Sequence, residues 1–402
     1  MKIGVWLNND MLPQEGGAYT YIHSLVKLLD DESFASADIV FITYRKAGES
    51  TLLKKPVIYL NEHFTTSAFF LKLLRRLSKR SDALNRLFTK HINRHISALI
   101  RTFGIDYVYY LNQAQRELET IPFIATNWDL AHLSLSTFPE FAGNGQAGKR
   151  EKWYHGELSK ATRIAVESEA GKEELVRYLK LDREKIAVVP FFIKKEAPVV
   201  QDAGQDASLL MAYGIEKGNY FYYPAQFWKH KNHSKLIKAF KLFHQEDAHG
   251  RKLVLTGSDK GELAAVKRQI EDLGLQGHVL CLGFVPGSHK DLLMSNALSL
   301  VMPTFLGPTN LPPLEAMEYN VPSVCSDLEG HREMLGNSAL YFDPSSEQAL
   351  YRALVRISDP EEYARQKEKL AEVKRSSRFS YDSAKHALDH LFTHLQNHST
   401  QA

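Results

Sequence analysis

The chain has 402 residues, 44% of them hydrophobic and 24% charged, which is enough for two domains with separate cores. A formal net charge of +3 is too mild to point to nucleic acid, though it suits an anionic ligand or surface. No apolar run reaches the ~20 residues of a membrane span. The N-terminus MKIGVWLNND reads as a first core strand rather than a leader. The two cysteines, Cys281 and Cys325, sit in strand-like apolar runs, so buried reduced thiols and a cytoplasmic location are expected.

In chain order, short apolar runs alternate with longer segments of helical period, the pattern of βα units on a parallel sheet. The first half predicts strands over 3–7, 38–43, 106–111, 122–126, 163–167 and 185–189, with helices over 18–29 and 169–179. The polar stretch 194–206, with Pro198 and Gly204, reads as a linker. A second series follows, with strands over 220–224, 252–256, 278–282, 298–302, 322–325 and 339–342. The expectation is an α/β protein with domains over 1–193 and 207–378. A separate amphipathic helix over 379–397 could be received by either domain.

Four segments carry candidate chemistry. Gly16 and Gly17 end the loop NNDMLPQEGG after the first strand, where backbone can approach a phosphate or sugar beside a helix N-terminus. Asp129 and His132, in TNWDLAHL, stand at the end of another strand. There they either grip sugar hydroxyls or form a helix cap with a surface histidine. In PAQFWKHKNH, Lys229 and Lys231 bracket a helix start that suits a diphosphate. His230 and His233 lack further ligands at a recognisable spacing, so no metal site is expected. Trp228 suits packing and stacking equally. The strongest segment is MPTFLGPTNLPPLEAM, 302–317. Prolines mark a helix's first turn there, the amides of Thr309, Asn310 and Leu311 point at a bound diphosphate, and Glu315 can accept from a ribose diol.

Together, Gly16-Gly17, Ser168-Glu169, PAQFWKHKNH, LTGSDKGE, LGFV and GPTNLPPLEA resemble the retaining GT-B glycosyltransferases of family 4, the bacterial lipopolysaccharide and surface-polysaccharide type. The resemblance runs from Met1 to about Phe379 and is most specific over 222–344. It implies two Rossmann-like domains facing a cleft, with the C-terminal helix able to return to the first domain. It implies transfer of a hexose from a nucleotide-sugar donor, UDP-linked in preference to GDP-mannose, to a saccharide or polyprenyl-linked acceptor. Lys231 would meet the diphosphate, Glu315 the ribose, and Pro308, Thr309, Asn310 and Leu311 the phosphates. Gly16, Gly17, Gln226, Gly257, Phe284 and Val285 would complete the donor site, the last two beside the base. Asp129, His132 and Lys231 would be the catalytic set. No metal or other cofactor is implied, because lysine and helix dipole stabilise the leaving diphosphate.

Three departures from that family stand out. Gly307 occupies the place of the first of two glutamates, Gln226 the place of an arginine, and Trp128 the place of a histidine. These leave a nucleotide-sugar-binding protein without transfer activity, or an epimerase of the same fold, as alternatives. An NAD-linked oxidoreductase is disfavoured because no G-x-G-x-x-G follows the first strand. Finally, residues 68–101 hold Lys72, Arg75, Arg76, Lys79, Arg80, Arg86, Lys90, Arg94 and Arg101 against Asp82 alone, interleaved with apolar side chains. That pattern fits either a peripheral contact with anionic membrane or a core-facing helix pair with a solvated basic side.

Overall fold

The computed structural model describes residues 1–7, 12, 15–46, 48–63, 82–113, 118, 121–142, 146–193 and 203–399. Two all-parallel sheets organise it. The first has the order β3-β2-β1-β4-β5-β6-β7, with β1 Lys2–Trp6, β2 Asp38–Thr43, β3 Val57–Tyr59, β4 Tyr107–Tyr110, β5 Phe123–Thr126, β6 Arg163–Val166 and β7 Ile186–Val188. The second has the order β10-β9-β8-β11-β12-β13, with β8 Tyr220–Pro224, β9 Lys252–Thr256, β10 Val279–Gly283, β11 Ser299–Met302, β12 Ser323–Ser326 and β13 Ala339–Phe342. Strands flanked by helices on both faces must be apolar on both sides, and β4, β5, β11 and β12 are buried at every position.

β8 shows how such a strand handles polar tips. Tyr220, Phe221, Tyr222 and Tyr223 are all fully buried, so each hydroxyl needs a partner. Tyr220 donates to the Leu293 carbonyl at 2.7 Å, Tyr222 meets Thr256 Oγ1 at 2.8 Å, and Tyr223 donates to the Lys231 carbonyl at 2.9 Å. The last bond ties the core strand to the turn that carries Lys231.

In each sheet the strand order reverses beside the first strand, between β1 and β4 and between β8 and β11. Loops at the carboxyl ends of such strands form the crevice where doubly wound folds bind ligands. The helices Gly17–Asp31, His233–Glu246 and Leu311–Glu318 start at these reversal points.

Three expectations need adjustment. β3 was absent from the sequence reading; it has three residues directly after Pro56, too few to establish a period. The expected linker over 194–206 is already helical from Ala203, in the helix Ala203–Ala212, and its residues 194–202 lie outside the described ones. Of the basic stretch 68–101, residues 68–81 also lie outside them. The rest falls on the helix Asp82–Thr102, where Ile96 and Ile100 are fully buried while Lys90, Arg94 and Arg101 are exposed. Both cysteines are free thiols, Cys325 buried and Cys281 half-buried.

The C-terminal helix Tyr381–Ser399 returns to the first domain. Phe392 meets the Phe34 ring edge-on at 5.1 Å, and Tyr381 does the same with Phe192 at 5.4 Å. Glu32 accepts from the Tyr381 hydroxyl at 2.9 Å and pairs with Lys385 at 2.6 Å. Leu388, Leu391, Phe392 and Leu395 are buried in this contact.

Candidate donor site between the two domains

The carboxyl-end loops of both sheets enclose a cleft of about 540 Å³, well within the range of small-molecule sites. Three ties hold its walls together. Ser168 accepts from the Gly171 amide as helix cap and donates to the Pro308 carbonyl, both at 3.0 Å. Glu333, from the second domain, accepts from the amides of Glu169 and Ala170 at 2.8 Å each, completing the helix start in the first. Glu140, from the first domain, accepts from the His230 amide at 2.9 Å and from His230 Nδ1 at 2.7 Å. Burial and the nearby Lys231 outweigh Glu140 and push the His230 pKa down to about 4. Burial works against the Glu140 carboxylate, but the two His230 bonds prevail and lower its pKa. The pair is therefore a neutral imidazole donating to a carboxylate.

The floor of the cleft is the loop between β11 and the helix Leu311–Glu318. Gly307 adopts φ +150°, and a Cβ there would lie 2.0 Å from Asn310 Nδ2, so this position excludes side chains. Gly330 of the helix Glu329–Leu335 packs so closely that a Cβ would meet the Pro308 carbonyl oxygen at 1.8 Å. Asn310 precedes the helix in extended conformation. Pro312 and Pro313 carry no N–H, so the donors of this helix start are the amides of Asn310 and Leu311, which have no intrahelical acceptors and, with the helix dipole, suit an anion.

Lys231 ends the short turn Lys229–Lys231, and its ammonium donates to Asn310 Oδ1 at 3.2 Å. Asn232, at φ +63°, reverses the chain after it and donates to the carbonyls of Pro303 and Pro344, both at 2.9 Å. Burial lowers the Lys231 pKa to about 8 against a smaller opposing effect of Asp129. The lysine is thus held in a pocket that lacks a full counter-charge, as an anion-binding group should be.

Glu315 sits one turn into the helix, nearly buried, and pairs with Lys290 Nζ at 2.6 Å. Burial works against the Lys290 ammonium, and Glu315 with Asp291 more than offsets it, so its pKa is raised. Phe284 and Val285 line the same end, Phe284 being 48% exposed. Gly257, at φ +146°, closes tightly against the Ala225 carbonyl.

Gly16, Gly17, Asp129, Gln226, Lys231, Gly257, Phe284, Val285, Pro308, Thr309, Asn310, Leu311 and Glu315 all line this one cleft. Gly16 faces the Gln226 amide and Gly17 the Leu311 side chain across it, each within 3.5 Å of a built Cβ. Asp129 also accepts from the Ala131 amide at 2.9 Å, so it satisfies the first amide of the short helix as well as facing the cleft.

His132 is the exception. It is 4% exposed, stacked on Tyr154 with centroids 4.5 Å apart, and is not among the lining residues. Three positions past Asp129, the short helix Ala131–Ser134 turns it inward. His230 is engaged by Glu140, and His233 is buried against Phe227 and Tyr223. Among the described residues no group of three or more His, Cys, Asp or Glu is placed to hold a metal ion.

Sequence reasoning did not single out Lys290, Glu140, Glu167 or His331. The signal for Lys290 was its place one turn into the helix after LGFV; the others carried no local signal.

Comparison with known proteins agrees with this architecture. Residues 212–373 match the family model described as glycosyl transferases group 1. The chain is 26% identical over 218 residues to O-antigen chain mannosyltransferase B of Escherichia coli, covering 54% of this chain and 57% of that protein. It is 28% identical over 186 residues to O-antigen chain mannosyltransferase RfbU of Salmonella typhimurium, covering 46% and 48%. The chain therefore spans about half the length of the curated relatives it matches. The crystal structure of Anabaena Alr3699/HepE in complex with UDP and glucose superposes with a TM-score of 0.70 at 17% identity, covering 98% of this chain and 99% of that one. The chain has the GT-B glycosyltransferase fold, and its second domain matches the model of the glycosyl transferases group 1.

Proposed function

We propose that this protein transfers a hexose from a nucleoside-diphosphate sugar to a saccharide or lipid-linked acceptor in surface-glycan synthesis, with retention of anomeric configuration. The observation that carries the reading is the Lys231–Asn310 contact, set against a helix N-terminus on the floor of an interdomain cleft. A partly desolvated ammonium beside oriented amides is the arrangement needed to neutralise charge that develops on a leaving diphosphate. On this reading the donor needs no metal, Glu315 and Lys290 receive the ribose, and Phe284 flanks the base. Asp129 belongs to the acceptor side. His132 is given no catalytic part on this reading, because its ring is stacked on Tyr154. Because the curated relatives are O-antigen mannosyltransferases, a mannosyl donor gains on the UDP-linked hexose that the sequence alone favoured.

The test is a thermal-shift panel with UDP, GDP, ADP and TDP, with and without magnesium. It is followed by acceptor-dependent release of the nucleotide and anomeric analysis of the product. Selective stabilisation by one nucleotide, indifferent to magnesium, supports the reading. No shift at millimolar ligand overturns it.

For the acceptor, a polyprenyl-linked saccharide suits the basic stretch 68–101. Among the described residues no helix is long and apolar enough to cross a membrane, so contact would be peripheral. Equal flotation with neutral and anionic liposomes overturns this second proposal.

A further inference from the structure

Glu167 directly follows β6 and lines the cleft from the first domain. It is 0% exposed, and neither carboxylate oxygen has a hydrogen-bond partner. A native protein satisfies nearly all its buried polar groups, and an orphan points to a strained or functional site. Burial raises the Glu167 pKa well above the usual carboxylate range. Asp129 and Glu174 push in the same direction, while its own backbone and Thr309 resist. The Thr309 hydroxyl is near enough to oppose the shift without completing a hydrogen bond. Burial thus favours the protonated form, and a protonated carboxyl offers one donor and one acceptor.

Its surroundings narrow what it can meet. Trp128, Asp129 and Tyr21 line the same wall. Thr309 joins it to the floor where the helix Leu311–Glu318 begins. That floor has no acidic side chain at Gly307, where the backbone admits none. A phosphate is a poor fit next to Asp129 and Glu174, because like charges repel. A hydroxyl fits well, since it can donate to an unpartnered carboxyl oxygen and can also accept when the carboxyl is protonated. Resting on the glycosyltransferase reading, we propose that Glu167 is a sugar-contacting residue whose buried, unpartnered carboxyl is completed by a hydroxyl of the donor's hexose. The site is thereby left unsatisfied until an intact nucleotide sugar arrives, which lets it distinguish that donor from the spent diphosphate.

The experiment compares wild type, Glu167→Gln and Glu167→Leu by calorimetry. Two ligand pairs are used, GDP against GDP-mannose and UDP against UDP-glucose, and unfolding temperatures are recorded without ligand. Affinity for the bare diphosphate should be the same in all three proteins. The ratio of nucleotide-sugar to diphosphate affinity should stay within about threefold in Glu167→Gln and fall about tenfold in Glu167→Leu. Ligand-free Glu167→Leu should unfold at the wild-type temperature or above, because an orphaned polar group is gone. An unchanged ratio in Glu167→Leu, or an equal loss of affinity for both ligands of a pair, overturns the assignment. If the leucine variant does not fold, Glu167→Ala is read against the same criteria. A wild-type protein that binds none of the four ligands overturns the glycosyltransferase reading and this assignment with it. Wild-type binding with indifferent variants overturns this one alone.

Discussion

The imidazole of His331 holds the Asn310 amide so that its oxygen, not its nitrogen, faces Lys231. His331 Nδ1 lies 2.8 Å from the Ser326 carbonyl, which can only accept, so Nε2 is the acceptor facing Asn310 Nδ2 at 3.0 Å. The amide nitrogen also donates to the Leu306 carbonyl at 3.1 Å. With both its donors committed, the amide has its oxygen left for the Lys231 ammonium. His331→Phe keeps a ring and removes the acceptor. We expect a stability loss of about 1–3 kcal/mol, the cost of a buried amide left half-satisfied, together with weaker diphosphate binding. Denaturant titration and calorimetry check the two effects.

Lys231→Ala should weaken diphosphate binding by about 1.5–3 kcal/mol, the value of a hydrogen bond to a charged group. The wild-type pH profile provides a second check. The Lys231 pKa is lowered to about 8 by burial in the free protein, and a bound diphosphate must raise it. Binding therefore takes up a proton above pH 8. Affinity should be constant below pH 7 and fall as pH rises through 8, and the fall should vanish in Lys231→Ala. Calorimetry in buffers of different ionisation enthalpy reads the proton directly.

The Lys290–Glu315 pair separates binding from stability. Lys290→Ala leaves the more buried partner, the Glu315 carboxylate, without its counter-charge, which should cost several kcal/mol (about 3–5 at most). Glu315→Ala, which strands the half-buried Lys290 ammonium, should do less harm, and the double variant should recover part of the Lys290→Ala loss. A double-mutant cycle from unfolding curves measures that coupling. Nucleotide affinity should fall in all three.

Acid should act on the second domain first. Burial leads the causes that lower His233 to about 3 and His331 to about 4; the Lys231 charge works with it in both. Both residues have lower pKa values folded than unfolded, so the unfolded chain binds more protons between about pH 6.5 and 4. Stability should thus fall as pH drops through that window, by about 1.4 kcal/mol per pH unit for each histidine. His233→Phe should flatten the slope by one proton, read from denaturant midpoints between pH 7 and 4.5.

Deleting residues 379–402 should damage the first domain, not the second. The deletion removes buried Phe379, Leu388, Leu391, Phe392 and Leu395 and uncovers Phe34 and Phe192. Insolubility, or early loss of the first domain's cooperative unfolding, is expected while nucleotide binding to the isolated 203–378 unit is a separate question. A soluble truncation with an unchanged melting curve would contradict the packing.

Much of this architecture is legible in the sequence because doubly wound sheets write themselves locally. Each buried strand is a short apolar run, and each ligand loop carries glycine or proline at the strand's end. The segment 302–317 is the clearest case: strand, glycine loop, proline-started helix and glutamate are all within sixteen residues. The first domain was read less fully, since β3 is too short to show a period. Glu140 meets His230 across 90 positions, and Ser168 meets Pro308 across 140; no local pattern signals such partners. His331 looks like any helical histidine until its two ring neighbours are placed. The inward turn of His132 is not legible either, because the phase of a four-residue helix cannot be counted from one aspartate.

The return of the C-terminal helix means that the polypeptide passes between the domains twice, once before Ala203 and once after Ser376. The same arrangement makes the molecule divisible: a cut engineered between 193 and 203 would give two pieces that stay clasped, because the second still carries a helix belonging to the core of the first.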